Sequence, residues 1–148
     1  MIFQRVNRSD PEKVFIVVQS NGTIVSDQVV QWELNSASVN GVLIRSVAAS
    51  NEWSTVGVAD KAIASGAYGL VQVYGYRSTS LVFQTNTSFD TGVPLVPVAA
   101  QSYWSSFGST YASNTTVTQA PVLAVNMASV ASSSASTQVS TKIFIRAL

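Results

Sequence analysis

The chain has 148 residues, enough for one domain with a real core, and carries 8 basic and 7 acidic side chains for a formal net charge of +1. It has no cysteine and no histidine, which excludes disulfides, thiolate chemistry, every histidine-containing triad and the commonest transition-metal ligand. Charged residues are only 10 %, against roughly 25 % in an average soluble domain, so the composition points to assembly with protein, and it lacks the clustered Lys and Arg that nucleic acid requires.

Residues 1–11 read as an arm ahead of the first strand. Ile2, Phe3 and Val6 interleave with Arg5 and Arg8, a mixture suited to a contact, and Asp10-Pro11 ends it. The arm has no apolar signal core, and no run approaches the roughly 18 apolar residues of a membrane span, so neither a secretion signal nor a span is expected.

The unbroken apolar run 14–18 suits a strand buried on both faces. Asn21-Gly22 marks a turn. In 29–34, Val30, Trp32 and Leu34 share one face with Gln31 and Glu33 on the other, the pattern of a half-buried strand. Residues 35–41 read as a loop, 42–47 as a strand and 50–54 as a second loop. Residues 56–59 predict a short strand, 60–65 a helical turn or two, and 70–76 a longer alternating strand. Residues 81–83 add a strand, and Asp90-Thr91-Gly92 a turn. Two prolines confine 93–98 to an edge or irregular strand.

Residues 101–116 predict a long polar and aromatic surface loop or hairpin. Residues 122–125 resume apolar character, 129–140 is a Ser/Ala/Thr segment expected as a loop, and 142–148 alternates as a terminal strand. With 23 valines and 35 serines and threonines, the expected fold is all-β. It would be a compact sandwich or barrel-like domain over residues 12–148, with long polar loops and little helix. A faint internal echo, VGVADKAIAS from Val56 and VLAVNMASVAS from Val122, raises the question of a duplication.

Chemistry is sparse. Gly66-Ala67-Tyr68-Gly69 lacks the spacing and the following helix of a phosphate loop, and reads as a tight turn. Glu33, Glu52, Asp60 and Asp90 show no paired spacing, and no loop gathers enough oxygens for calcium. No catalytic, cofactor-binding or metal-binding residues are expected. Tyr103, Trp104, Phe107 and Tyr111 interleave with Ser and Gly. Such rings either anchor a protein or sugar contact, or fold back over a sheet end or pack between subunits.

Three blocks have a familiar order: EKVFIVVQSNGTIVSDQVVQWEL from Glu12, VGVADKAIASGAYGLVQVYGY from Val56 and KIFIRAL from Lys142, with TGVPLVP from Thr91 between them. Together they resemble the head decoration, or capsid cement, proteins of tailed bacteriophages. The resemblance implies a non-enzymatic virion protein made in the host cytoplasm and bound to the outer surface of the capsid. Its implied partners are the major capsid protein and other copies of itself, as a homo-oligomer with a trimer favoured. The arm (Ile2, Phe3, Arg5, Val6, Arg8) and the aromatic segment (Tyr103, Trp104, Phe107, Tyr111) are the expected capsid or subunit contacts. The alternative is a head-fibre or adhesion module that binds host-surface glycans through residues 103–111.

Overall fold

β-branched and aromatic residues recur at period two between Gly, Asn and Asp turns, and strands follow. The computed structural model describes residues 12–34, 41–47, 52–84, 90–98, 102–107, 110–111, 115–116, 122–131 and 137–147. Within them the fold is all-β, with one turn of 3-10 helix at Glu52–Ser54. The strands are β1 (Val14–Ser20), β2 (Val29–Trp32), β3 (Leu43–Ser46), β4 (Thr55–Ala59), β5 (Tyr68–Gln84), β6 (Pro94–Pro97), β7 (Trp104–Ser106), β8 (Thr110–Tyr111), β9 (Thr115–Thr116), β10 (Ala124–Asn126) and β11 (Thr137–Arg146). β8 and β9 pair with each other, and the other nine form one sheet.

That sheet closes on itself twice. β1, β3, β2, β4 and β5 pair in that order, and β5 returns to β1. β5, β7, β6, β10 and β11 also pair in order, and β11 returns to β5. The 17-residue β5 belongs to both rings. Its residues 68–74 pair with β1, and its residues 74–84 with β11.

The two rings repeat one topology. In each, the first strand in chain order is parallel to the third and antiparallel to the fifth. The register repeats as well. Val30, Gln31 and Trp32 lie opposite Ser46, Arg45 and Ile44, as Leu95, Val96 and Pro97 lie opposite Ser106, Ser105 and Trp104. Val29 and Val30 face Val58 and Gly57, as Pro94 and Leu95 face Val125 and Ala124.

Turn bonds recur in the same places. The Asp27 N–H donates to the Ala59 carbonyl at 3.1 Å, and the Gly92 N–H to Asn126 at 2.8 Å. Asp27 and Gly92 both take left-handed backbone, at φ 64° and 91°. The echo in the sequence is this repeat displaced by one residue, since Gly57 corresponds to Ala124 rather than to Leu123.

Each ring has its own core. Val18, Ile24, Val30, Ile44, Val56, Ala59, Ile63, Val71 and Val73 pack in the first. Val82, Leu95, Trp104, Ala124, Val130, Ile143 and Ile145 pack in the second, and this cluster extends onto Val29, Val47 and Val58 of the first ring. β2 is therefore covered on two sides. Gln31 and Glu33 are buried rather than facing solvent, while Leu34 is exposed beyond the strand end.

Other expectations change for stated reasons. β1 is buried on one face only, because its other face lies outside the ring. Residues 60–65 form no helix; Ile63 bridges Ile24 instead. Residues 70–76 and 81–83 are one strand, because β11 continues the pairing past Arg77. β6 is interior, paired to β7 and β10, with its prolines at its two ends. The terminal strand starts at Thr137, so part of the Ser-rich segment is sheet, and Val130 is core.

Candidate interaction surface

Arg77 lies midway along β5 and is buried. Its Nη2 and Nε donate to Asp27 Oδ1 at 2.6 and 3.1 Å, and its Nη1 to Asp60 Oδ1 at 3.3 Å. Nη2 also reaches the Ala59 carbonyl at 2.9 Å, and Nη1 reaches Gln72 Oε1 at 3.3 Å. The Thr79 hydroxyl donates to the same Asp27 oxygen at 3.0 Å. An open depression of about 200 Å³ lies over this cluster, bordered also by Lys13, Phe15, Ser26 and Ser78. With the guanidinium fully engaged, the cluster acts as a clasp that ties β5 to the turn before β2 and to the end of β4. Asp60, one of the scattered acids in the sequence, is half of that clasp.

The outer face of β1 and β5 has a different chemistry. Alternation turns Val18 and Val71 inward and leaves Phe15, Val17, Tyr68 and Leu70 outside. Val17 is 61 % exposed, Tyr68 66 % and Leu70 46 %. Val17 and Leu70 are direct cross-strand partners, and so are Gln19 and Tyr68. Beyond this apolar stripe, on the outer face of the second ring, Tyr74 and Phe144 meet edge to face with ring centroids 5.3 Å apart. Tyr74 and Tyr76 are half-buried there. Gly75 between them brings the β1 lead-in close: a Cβ there would sit 2.0 Å from the Glu12 carbonyl oxygen.

The expected contact residues divide three ways. Ile2, Phe3, Arg5, Val6 and Arg8 lie outside the described residues. Tyr103 and Trp104 are core residues, 3 % and 0 % exposed, which corrects their assignment to a partner contact. Tyr103 stacks on Phe83 at 5.2 Å, and the Trp104 indole N–H donates to the Ser80 hydroxyl at 3.1 Å. They fold back into the sheet because Trp104 belongs to β7 and closes the second ring against Val82. Phe107 is exposed at 44 %, and Tyr111 lies in β8. The stripe was legible only in part: the unbroken run 14–18 signalled two apolar faces, but not that one of them faces outward.

No protein-family profile and no curated protein matches the chain. Among solved structures, the N base of the head fiber gp8.5 in bacteriophage phi29 is similar to this chain. The match covers 90 % of this chain and 94 % of that one, with a TM-score of 0.49 and 12 % identity.

Proposed function

We propose that this protein is a virion structural protein that binds the outer surface of a phage head and cements neighbouring major capsid subunits. The observation that carries the reading is where the three blocks of sequence resemblance meet. They lie far apart in the chain, yet they supply β1 and β2, then β4 and the first half of β5, then the end of β11. β5 pairs directly with β1, β4 and β11, so the resembling segments form one continuous structural unit.

The mechanism is linkage. A protein that binds the assembled shell but not its separate subunits stabilises the assembled state by mass action. Many copies, themselves associated as a homo-oligomer with a trimer favoured, multiply weak contacts through effective concentration. The role is mechanical and requires no cofactor.

The test uses heads assembled without this protein. They should release their contents at a lower temperature than complete heads, and adding the purified protein should restore the higher temperature. Identical release temperatures with and without it would contradict the proposal.

A further inference from the structure

Deepening the homo-oligomer part of that reading, we infer that the outward edge of β1 at Lys13, Phe15 and Val17 is a strand-pairing site. Its occupant is the same edge of a second copy, antiparallel to the first about a two-fold axis through Phe15.

Hydrogen-bond direction locates the edge. The Ser20 N–H donates to the Ala67 carbonyl at 3.0 Å, and the Ser20 carbonyl accepts from the Gly66 N–H at 2.8 Å. Ser20 therefore turns both backbone groups toward the β5 side. Alternation turns those of Val18 and Ile16 the same way, and those of Gln19, Val17 and Phe15 outward. Gln19 agrees, since its N–H donates to the Val42 carbonyl at 2.9 Å on the β3 side. Lys13 also faces outward, because the Glu12 carbonyl and Val14 are turned toward β5. β3 pairs with β1 only at Gln19 and Ser20. Among the described residues, nothing bonds the outward backbone groups of Lys13, Phe15 and Val17. All three residues are exposed, Val17 by 61 %.

The second ring shows a protected edge in the same topology. Val18 opposite Gly69 matches Ser80 opposite Thr141, and Gln19 opposite Tyr68 matches Leu81 opposite Ser140. Leu70 thereby matches Lys142, and Val17 matches Thr79. The Thr79 carbonyl accepts from Arg77 Nε at 2.8 Å, and a register shift there sets Ser78 and Thr79 against Lys142. Bulges and engaged carbonyls stop a sheet edge from pairing. The β1 edge has neither, because its register shift puts the extra residue, Val73, on β5.

Symmetry and charge select the occupant. In antiparallel pairing, outward positions oppose outward positions. With Phe15 opposite Phe15 of the second copy, Lys13 opposes Val17 at both ends, and every outward group finds a partner. Sliding one step sets Lys13 against Gln19, whose N–H already bonds Val42. Sliding the other way sets Val17 against Pro11, which has no N–H. The central register opposes no like charges: the two lysines stand about 13 Å apart along the strands, beyond the screening length. It also places an aromatic cross-strand pair at its centre. The contact is two-fold, so copies grouped as a trimer would still join pairwise to copies of a neighbouring group.

The experiment uses the free full chain, which has no cysteine of its own. Phe15→Cys is oxidised beside Val25→Cys, an exposed position off the edge, and both are run on denaturing gels without reductant. Phe15→Cys should give a disulfide-linked dimer at least roughly tenfold faster. Sedimentation follows pairing, and thermal melting follows folding. Val17→Pro removes an outward N–H that no intrachain bond uses, so it should melt close to the unaltered protein yet pair at least about tenfold more weakly. Val17→Thr keeps the backbone edge and should pair like the unaltered protein.

Equal crosslinking of the two cysteine variants would overturn the two-fold contact, and so would Val17→Pro pairing at the unaltered level. An unaltered protein that never pairs, while Val17→Pro weakens its binding to heads, would also overturn it, because the edge would then belong to a strand of the shell. Pairing is read on the free protein and cementing on heads, so each reading can fail without the other.

Discussion

Arg77 shows how a single side chain can hold a junction that hydrophobic packing alone does not define. It is buried at the middle of the strand shared by both rings, and two carboxylates, the Gln72 side-chain oxygen and the carbonyls of Ala59, Asp60 and Thr79 converge on it. The described residues of the second ring form no such clasp, because the equivalents of Asp27 and Asp60 are Gly92 and Met127. Replacing Arg77 with Ala should cost about 3 kcal/mol, since it strands partly buried carboxylates without their partner. Asp27→Asn keeps a residue that tolerates the left-handed turn and should cost less, about 1–2 kcal/mol. Denaturant unfolding of both variants measures the two values; an Arg77→Ala protein as stable as the parent would remove the clasp from the account. Nothing in the sequence announces this cluster, because Asp27, Asp60 and Arg77 are brought together by ring closure rather than by spacing. A glycine inside an alternating strand, by contrast, is itself a mark of close backbone approach, and the structure places the Glu12 carbonyl against Gly75.

At the scale of elements, period-two patterning located most strands, and ring topology decided their burial. The C-terminal half of β11 lies where alternation puts it, whereas β4 is buried along its whole length. β1 and β2 differ because burial depends on what stands behind each face: solvent behind β1, the second ring behind β2. The prolines of 93–98 misdirect a reading from composition, since a proline at a strand end removes no bond from the ladder. The repeat was visible as an echo in two segments, and only the pairing register turns it into an equivalence. That equivalence makes a prediction about Leu70. Because the second ring carries Lys142 at the matching position, Leu70→Lys should shift stability by no more than about 0.5 kcal/mol. Ile143→Ala, one position inward on the matching strand, should cost about 3 kcal/mol. A Leu70→Lys variant as damaged as Ile143→Ala would show that the two positions are not equivalent.

At the scale of the whole molecule, two barrels with one strand in common cannot separate as two ordinary domains would. β5 runs unbroken from one ring into the other, and the second core already includes Val29, Val47 and Val58 of the first ring. Thermal unfolding should therefore be one transition, with calorimetric and van't Hoff enthalpies in agreement; two resolved transitions would mean the rings are energetically independent. A rigid closed body with an apolar outer stripe and few charges is suited to sitting on a lattice, where strength comes from repetition rather than from any single contact. The most direct test is a map of the intact particle at a resolution that distinguishes strands. It should show the double barrel on the outside of the head at junctions between major capsid subunits. Density confined to the tail, or heads whose outer surface carries no double barrel, would contradict the account.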